Sequence, residues 1–258
     1  MLSRRNSLIV LIFVTILLFS SLVFIPRIPL PLAYHNFADH RAWLGIPNFG
    51  DVSSNLAFAI FGLMGLSFLL HANSANLFRD ARERIPWSFF FLGLFLTAFG
   101  SAYYHWHPDN STLVWDRIPM TIAFTSLIAA LFAERISLRA GLLALGPLLF
   151  LGAASVVYWH FTELRGHGDQ RFYFAVQASA FLSTLLCLFL FRAHYTRAGD
   201  LGLAAASYFV AILLEQFDRQ VFAALHIVSG HTLKHIAASL TGYWILRMLK
   251  LRRPISLR

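Results

Sequence analysis

Eight apolar segments separated by short polar stretches constrain the fold of this chain more than any other feature. The first covers residues 8–25, and the others cover approximately 52–71, 86–105, 115–133, 140–160, 172–191, 201–221 and 231–249. Each is close to the ~20 residues that an α-helix needs to cross the hydrocarbon core of a bilayer. The pattern predicts an all-α integral membrane protein, with a bundle of seven transmembrane helices and one extra N-terminal transmembrane helix.

Composition supports the membrane class and excludes two other classes. Charged residues make up 13% of the chain, whereas a soluble domain averages about 25%. The net charge of +9 does not indicate nucleic-acid binding, because the basic residues lie in short loops between apolar segments, where they set topology. Cys187 is the one cysteine, so a disulfide framework and a cysteine-based zinc site are excluded.

The apolar segments divide the chain into four parts. Residues 1–31 form an anchor helix or an uncleaved signal, because the apolar run is longer than a usual signal core and no clean cleavage site follows it. Residues 32–51 are too polar to span a bilayer and predict a cap on the outer surface. Residues 52–250 form the seven-helix catalytic core, and residues 251–258 form a basic cytoplasmic tail.

The distribution of Lys and Arg predicts the orientation of the bundle. With the N-terminus inside, 14 of the 21 basic residues fall on the inner side, as the positive-inside rule requires. Both termini are then cytoplasmic. Counting segments also places His105, Asp116, His231 and His235 at one depth, near the outer (periplasmic) leaflet.

Three of these side chains have the spacing of a metal site. His231 and His235 are four residues apart in the sequence His-Thr-Leu-Lys-His, so on a helix they lie one turn apart on one face. A short loop joins the segment that ends at His105 to the segment that contains Asp116. If the last helix packs beside this hairpin, three imidazoles surround one ion.

Such a site would suit hydrolysis next to a lipid bilayer. Three histidine ligands with an open fourth position are typical of catalytic zinc, which lowers the pKa of its bound water to about 7. Asp116 would serve as general base and pass the proton to the leaving group. Ser101, one turn before His105, would orient the water or donate a hydrogen bond to a developing oxyanion.

Each residue also has a structural interpretation when it is taken alone. A single intramembrane histidine is commonly a packing group, Asp116 could pair with Lys234 or Arg219, and Ser101 could bond back to its own helix. The polar run Glu215-Gln-Phe-Asp218-Arg219 predicts either a water-filled entrance or an internal ion pair. Ionisable residues at membrane depth nevertheless favour function, and here they form a set.

Taken together, the polar motifs resemble those of a known family. Ser101-Ala-Tyr-Tyr-His105, then Asp116, then His231-Thr-Leu-Lys-His235 are similar to the three-part motif of the alkaline ceramidases. These belong to a superfamily of seven-helix membrane proteins that includes adiponectin and progestin receptor-type and haemolysin-III-type proteins. The similarity covers roughly residues 39 to 250, including Gly45–Asn48 and Asp51–Asn55 before the first core helix.

The resemblance implies a site and an activity. His105, His231 and His235 would bind Zn²⁺, and Ser101 and Asp116 would complete the catalytic site. The substrate would be ceramide or another N-acyl lipid, cleaved to a fatty acid and an amine. Eukaryotic members also carry an acidic calcium-binding cluster, for which Asp39, Asn48 and Asp51 are partial substitutes here.

The chain departs from the eukaryotic pattern in two places. The extra helix at residues 8–25 lies outside the seven-helix core, and Lys234 stands where an aromatic residue usually precedes the last histidine. Together with the short, arginine-rich chain, this suggests a bacterial member, whose substrate could be another amide-linked or acylated lipid. Sphingolipid metabolism is the setting that the resemblance implies.

Two other functions remain open from the sequence. One is a receptor-like or sensor protein of the same superfamily, with structural zinc and lipid binding. The other is a haem protein, although haem iron requires one axial ligand on each face of a flat ring. Two histidines on one helix face suit a small ion better.

Overall fold

Ten α-helices account for most of the computed structural model, which describes residues 2–71 and 77–255. They are α1 (Arg4–Phe24), α2 (Phe49–Ser54), α3 (Leu56–Leu70), α4 (Arg84–Trp106), α5 (Leu113–Arg135), α6 (Leu138–Leu164), α7 (Arg171–Leu190), α8 (Gly199–Gln216), α9 (Asp218–Leu225) and α10 (Gly230–Leu251). Short 3₁₀ turns cover Leu32–His35 and Ala81–Glu83. The described ranges contain isolated β-bridges and no β-strand. The predicted all-α class is confirmed.

The helices have the length and composition of a membrane bundle. In the described residues, six spans are long and apolar enough to cross a membrane, and the bent pair α8 and α9 would make a seventh. The last helix, α10, has 22 residues, about 33 Å at 1.5 Å per residue. It carries the two histidines and three basic side chains, so it is more polar than the other spans.

Six helices close a ring, and two pack outside it. Around the ring the order is α3, α4, α5, α7, α8 and α10, with α10 packing back against α3. Helix α6 lies outside against α5 and α7, and α1 lies outside against α7. The predicted anchor is therefore peripheral. In its sequence only Ser7 and Leu11 are buried.

Small residues allow the helices of the site to approach closely. A Cβ atom added to Gly100 of α4 would lie 2.0 Å from the carbonyl oxygen of Trp115 in α5. A Cβ added to Gly230, the first residue of α10, would lie 2.4 Å from the carbonyl oxygen of Leu214. Small residues at such contacts are a common feature of membrane helix packing. They bring the end of α4, the start of α5 and the start of α10 to one end of the bundle, which we call the histidine end.

Two predicted boundaries differ from the structure. The segment predicted at 201–221 is not one helix, because α8 ends at Gln216 and α9 leaves it at an angle of 80°. The Asp218 carboxylate explains the break: it accepts hydrogen bonds from the backbone N–H groups of Ala38 and His231, at 2.9 and 2.8 Å. The first core helix also begins earlier than predicted, at Phe49. The cap therefore ends at Asn48, which takes a left-handed conformation with φ of 44°.

Candidate metal centre

Three buried histidines meet inside the histidine end of the bundle. His105 comes from the last turn of α4, and His231 and His235 come from the first two turns of α10. Their ring centroids form a nearly equilateral triangle with sides of 4.8, 4.8 and 4.9 Å. One nitrogen from each ring lies within 4.8 Å of the other two. The three residues that the sequence proposed as ligands are therefore adjacent, and they could hold a metal ion.

The distance between two of the nitrogens fits a small metal ion. The Nε2 atoms of His105 and His231 are 3.3 Å apart. Two ligands of a tetrahedral ion with metal–nitrogen bonds of about 2.0–2.1 Å are separated by about 3.3–3.4 Å. Imidazole nitrogen suits zinc, copper, iron and nickel, whereas calcium and magnesium prefer oxygen. Three imidazoles would therefore suit such an ion better than calcium or magnesium.

A hydrogen-bond chain sets the tautomer of His235. Ser54 Oγ lies 2.8 Å from His235 Nδ1 and 3.1 Å from the carbonyl oxygen of Asp51. A carbonyl only accepts, so the Ser54 hydroxyl donates to it and in turn accepts from the Nδ1–H group. The proton on Nδ1 leaves Nε2 with a free lone pair. Metal-ligating histidines are commonly oriented in this way through their other nitrogen.

The other two histidines are held through their backbones. The His105 carbonyl accepts a 2.8 Å hydrogen bond from Asn48 Nδ2, whereas His105 Nδ1 is buried and has no protein partner. The His231 N–H group donates to Asp218. The first turn of α10 is capped by Ser229, whose hydroxyl accepts from the Thr232 N–H group. These bonds fix where each imidazole enters the cluster.

The cap closes over two of the three rings. Phe37 packs with its ring centroid 4.7 Å from those of both His105 and His231. Asp218 holds the next residue, Ala38, by its N–H group. Further along, the Arg41 guanidinium donates to the carbonyl of Ile227 at 2.6 Å, in the loop before α10. These contacts attach the cap to the histidine end of the bundle.

Ser101 and Asp116 lie beside the cluster on the wall of a cavity. Both are buried, at 2% and 8% exposure. They line a cavity of about 380 Å³ together with His235 and Lys234. The cavity thus joins one ring of the triad to the two side chains predicted for proton transfer.

The charged residues near the cavity make other pairs than Asp116. Lys234 Nζ lies 3.1 Å from Glu215 Oε1, and both side chains line the cavity. Of the two interpretations of the Glu215 region, the internal ion pair is present, and it lies on the cavity wall. Arg219 donates to the Asn36 carbonyl at 2.9 Å. Neither basic residue forms the ion pair with Asp116 that the sequence left open.

Arg117, for which the sequence suggested no role in the site, is also part of the cavity wall. It is 2% exposed, and its guanidinium donates to Gln170 Oε1 at 2.6 Å. The same group lies 4.4 Å from the ring centroid of Trp159 and 4.6 Å from that of Tyr173. A buried cation between two aromatic faces gives the cavity positive character beside Asp116.

The residues named for calcium each have protein partners. Asp39 pairs with Arg41 at 2.7 Å, and hydrogen bonds from Arg41 hold the pKa of Asp39 below its ordinary value. Asn48 is engaged with His105, as described above. Asp51 Oδ1 accepts from Thr232 at 2.6 Å, and its Oδ2 is buried without a protein partner. These contacts attach the three side chains to the cap and to the histidine cluster.

Sequence reasoning did not assign roles to Ser54, Phe37 and Asp218. A weak signal existed for Ser54, since the polar run Asp51-Val-Ser-Ser-Asn55 opens an otherwise apolar helix. Asp218 belongs to the polar run that begins at Glu215, which is unusual in an apolar segment. Phe37 is one of 26 phenylalanines, and its sequence neighbourhood gave no signal.

Comparisons with known proteins do not add an identification. No protein-family model matches the chain, and a search of curated proteins finds no significant match.

Proposed function

We propose that this protein is a zinc-dependent integral-membrane hydrolase that cleaves the N-acyl amide bond of ceramide or a related lipid. The observation that supports this most is the cluster of three buried imidazoles, one of which, His235, lines the same cavity as Ser101 and Asp116. We also propose that the chain belongs with the alkaline ceramidases. That assignment rests on the resemblance of its motifs.

Each residue of the site has its own role in the proposed hydrolysis. A zinc ion held by His105, His231 and His235 would supply a Lewis acid and activate water for attack on a carbonyl carbon. Asp116 takes the proton that the water loses and delivers it to the amine as the C–N bond breaks. Ser101 would orient the water or donate a hydrogen bond to the developing oxyanion. One amide and one water thus become one carboxylic acid and one amine.

The cavity has the polarity that a lipid amide requires. Near Asp116 it is lined by the Lys234–Glu215 pair and by Arg117. Away from these residues it meets a second, apolar cavity that shares six of its lining residues: Phe58, Thr97, Met120, Gln177, Tyr208 and Ala238. A headgroup would contact the polar part and an acyl chain the apolar part. On the predicted orientation, the polar part faces the periplasmic leaflet and both termini are cytoplasmic.

Metal content is the first test of the proposal. Elemental analysis of detergent-purified protein should give about one zinc per chain, and His231→Ala/His235→Ala should lose it. The matched control is His107→Ala/His167→Ala, since both of these histidines are exposed and lie outside the cluster. Far-UV circular dichroism shows whether each variant keeps its helices. Zinc-free parent protein after exposure to zinc would refute the metal centre.

Turnover is the second test. Release of fatty acid from N-acyl lipids should be sensitive to chelators, and Asp116→Asn should lower the rate by about 10²–10⁴-fold, the usual contribution of general acid–base catalysis. Full activity of Asp116→Asn would refute the proton-transfer role. Bound metal with no turnover, and thermal stability lost on chelation, would favour the alternative of a receptor-like protein with a structural metal.

A further inference from the structure

A second polar cavity lies at the end of the bundle opposite the histidines. Its volume is about 460 Å³, and it sits between the start of α1, the end of α5 and the segment that follows α7. Four side chains on its wall are basic or titratable: Arg4, Arg135, Arg192 and His194. The remaining wall is apolar and includes Leu190 and Phe191. A concave surface of this composition favours an anion attached to an apolar group.

Among the described residues, no acidic side chain lines this cavity. Within the described ranges, Arg4, Arg135 and Arg192 have no carboxylate partner among the ion pairs. The nearest acidic neighbour in sequence, Glu134, is already engaged by Arg252 and by a 2.8 Å hydrogen bond from Trp87 Nε1. Glu134 lies close enough to act on the charges of Arg135 and His194, but no carboxylate of the described residues pairs directly with a cavity arginine.

Arg135 is the residue that a purely topological explanation leaves unexplained. The positive-inside rule accounts for basic residues exposed in loops, but Arg135 is only 7% exposed. Its guanidinium makes a long 3.4 Å hydrogen bond to the Phe191 carbonyl. Burying a guanidinium without an anionic partner is costly. A ligand anion in the cavity would offset that cost.

Two further contacts hold the basic groups in place. Arg4 Nη2 donates to the Ile136 carbonyl at 2.7 Å, which fixes its guanidinium at the cavity edge. The pKa of His194 lies below its ordinary value because of burial and the nearby charges of Arg79 and Arg135. The same positive charges that lower the pKa of His194 would attract an anion bound in the cavity.

We propose that this cavity binds a phosphate ester, the headgroup of an anionic phospholipid. Arginine pairs with phosphate through parallel N–H···O bonds, and basic pockets at helix ends bind lipid headgroups. The apolar wall beside Phe191 and Leu190 suits the glycerol and acyl portion and favours a lipid over free phosphate. Because Arg4 belongs to α1 and Arg135 to α5, the bound anion would attach the peripheral α1 to the bundle.

Binding of short-chain lipids to the detergent-purified full chain tests this proposal. The probes are dihexanoyl phosphatidylglycerol, dihexanoyl phosphatidylcholine and inorganic phosphate, measured by native mass spectrometry and by thermal unfolding in an uncharged detergent. We expect phosphatidylglycerol to bind at least tenfold more tightly than phosphatidylcholine and to raise the unfolding temperature. Equal affinity for the two lipids would overturn the proposal.

Matched double variants identify the residues. Arg4→Gln/Arg192→Gln removes two cavity cations that are exposed enough to be replaced without loss of fold, and we expect it to weaken phosphatidylglycerol binding by tenfold or more. Arg5→Gln/Arg139→Gln removes two exposed cations at the same end of the bundle but outside the cavity. This control should change the affinity for phosphatidylglycerol less than twofold. Equal losses would refute the site. Competition by inorganic phosphate at the same concentration as the lipid would assign the site to the free anion, and its absence would assign it to the lipid.

Discussion

Ser54→Ala tests whether the histidine cluster is organised for a metal ion. In the parent protein, Ser54 accepts a hydrogen bond from His235 Nδ1 and donates one to the Asp51 carbonyl, at 2.8 and 3.1 Å. Alanine removes the hydroxyl and leaves the three imidazoles in place. The tautomer of His235 with the free lone pair on Nε2 then loses the hydrogen bond from Nδ1–H to Ser54 that stabilises it. Metal affinity should therefore fall while the fold persists.

The expected loss follows from the geometry. Removing a hydrogen-bond partner of a metal-ligating histidine typically costs 10–100-fold in metal affinity. Here the Asp51 carbonyl, which accepts from the same hydroxyl, is available as a substitute acceptor for Nδ1–H when the hydroxyl is missing. We expect the lower end of the range, about tenfold, which corresponds to about 1.4 kcal/mol. Thermal stability without metal should fall by about 1–3 kcal/mol at most, because one buried donor loses its best partner.

Competition between the protein and a chromophoric zinc chelator measures the affinity. Ser53→Ala is the matched control, because Ser53 is the adjacent residue of the same helix and is exposed. It should bind zinc as tightly as the parent. Unchanged zinc affinity in Ser54→Ala, with normal helix content, would refute the inferred role of this hydrogen-bond chain.

Three further outcomes are expected. Gly100→Ala places a Cβ 2.0 Å from the Trp115 carbonyl oxygen and should destabilise the protein by about 1–3 kcal/mol in thermal unfolding. Gly146→Ala is the control, because its Cβ would have no neighbour within 4 Å, and it should not destabilise the protein. Equal effects of the two substitutions would contradict the inferred close packing at Gly100. Hydrogen bonds from Arg41 lower the pKa of Asp39, so this group stabilises the folded cap above its unfolded pKa of about 3.9, and the contribution is lost as pH falls through the lower folded value. Asp39→Asn should abolish that acid transition in tryptophan fluorescence, and a persisting transition would assign it to another group. Chelation should lower the unfolding temperature of the parent but not of His231→Ala/His235→Ala, since ligand binding stabilises only the state that binds it.

Most of the helices could be predicted from the sequence because hydropathy is a local property. A run such as residues 140–160 is apolar whatever it packs against, and the corresponding helix extends over Leu138–Leu164. Counting alternating segments then placed His105 and the α10 histidines at the same end of the bundle. No pairing information was needed for that step, since short loops force neighbouring helices to be antiparallel.

The remaining features depend on contacts between residues distant in sequence. Asp218 breaks the predicted helix at 201–221 because it bonds both Ala38 and His231, and neither partner is visible from the local sequence. Ser54 lies 181 positions from His235, so hydropathy and spacing give no reason to pair them. In the sequence, Arg135 is one of the basic residues that set the orientation of the bundle. Its position at a helix end does not show that it is buried in a cavity.

One carboxylate, that of Asp218, bonds both the cap and the histidine cluster. This limits how a substrate could reach the site. The Asp218 carboxylate holds Ala38 of the cap and His231 of the cluster together, while Phe37 covers His105 and His231. Opening the cap would disturb the same carboxylate that positions a proposed ligand. The cavity that carries Asp116 instead reaches the cluster at His235, the ring that Phe37 leaves uncovered. On the proposed function, a lipid amide that occupies this cavity would contact Lys234, Asp116 and His235 without displacing Phe37.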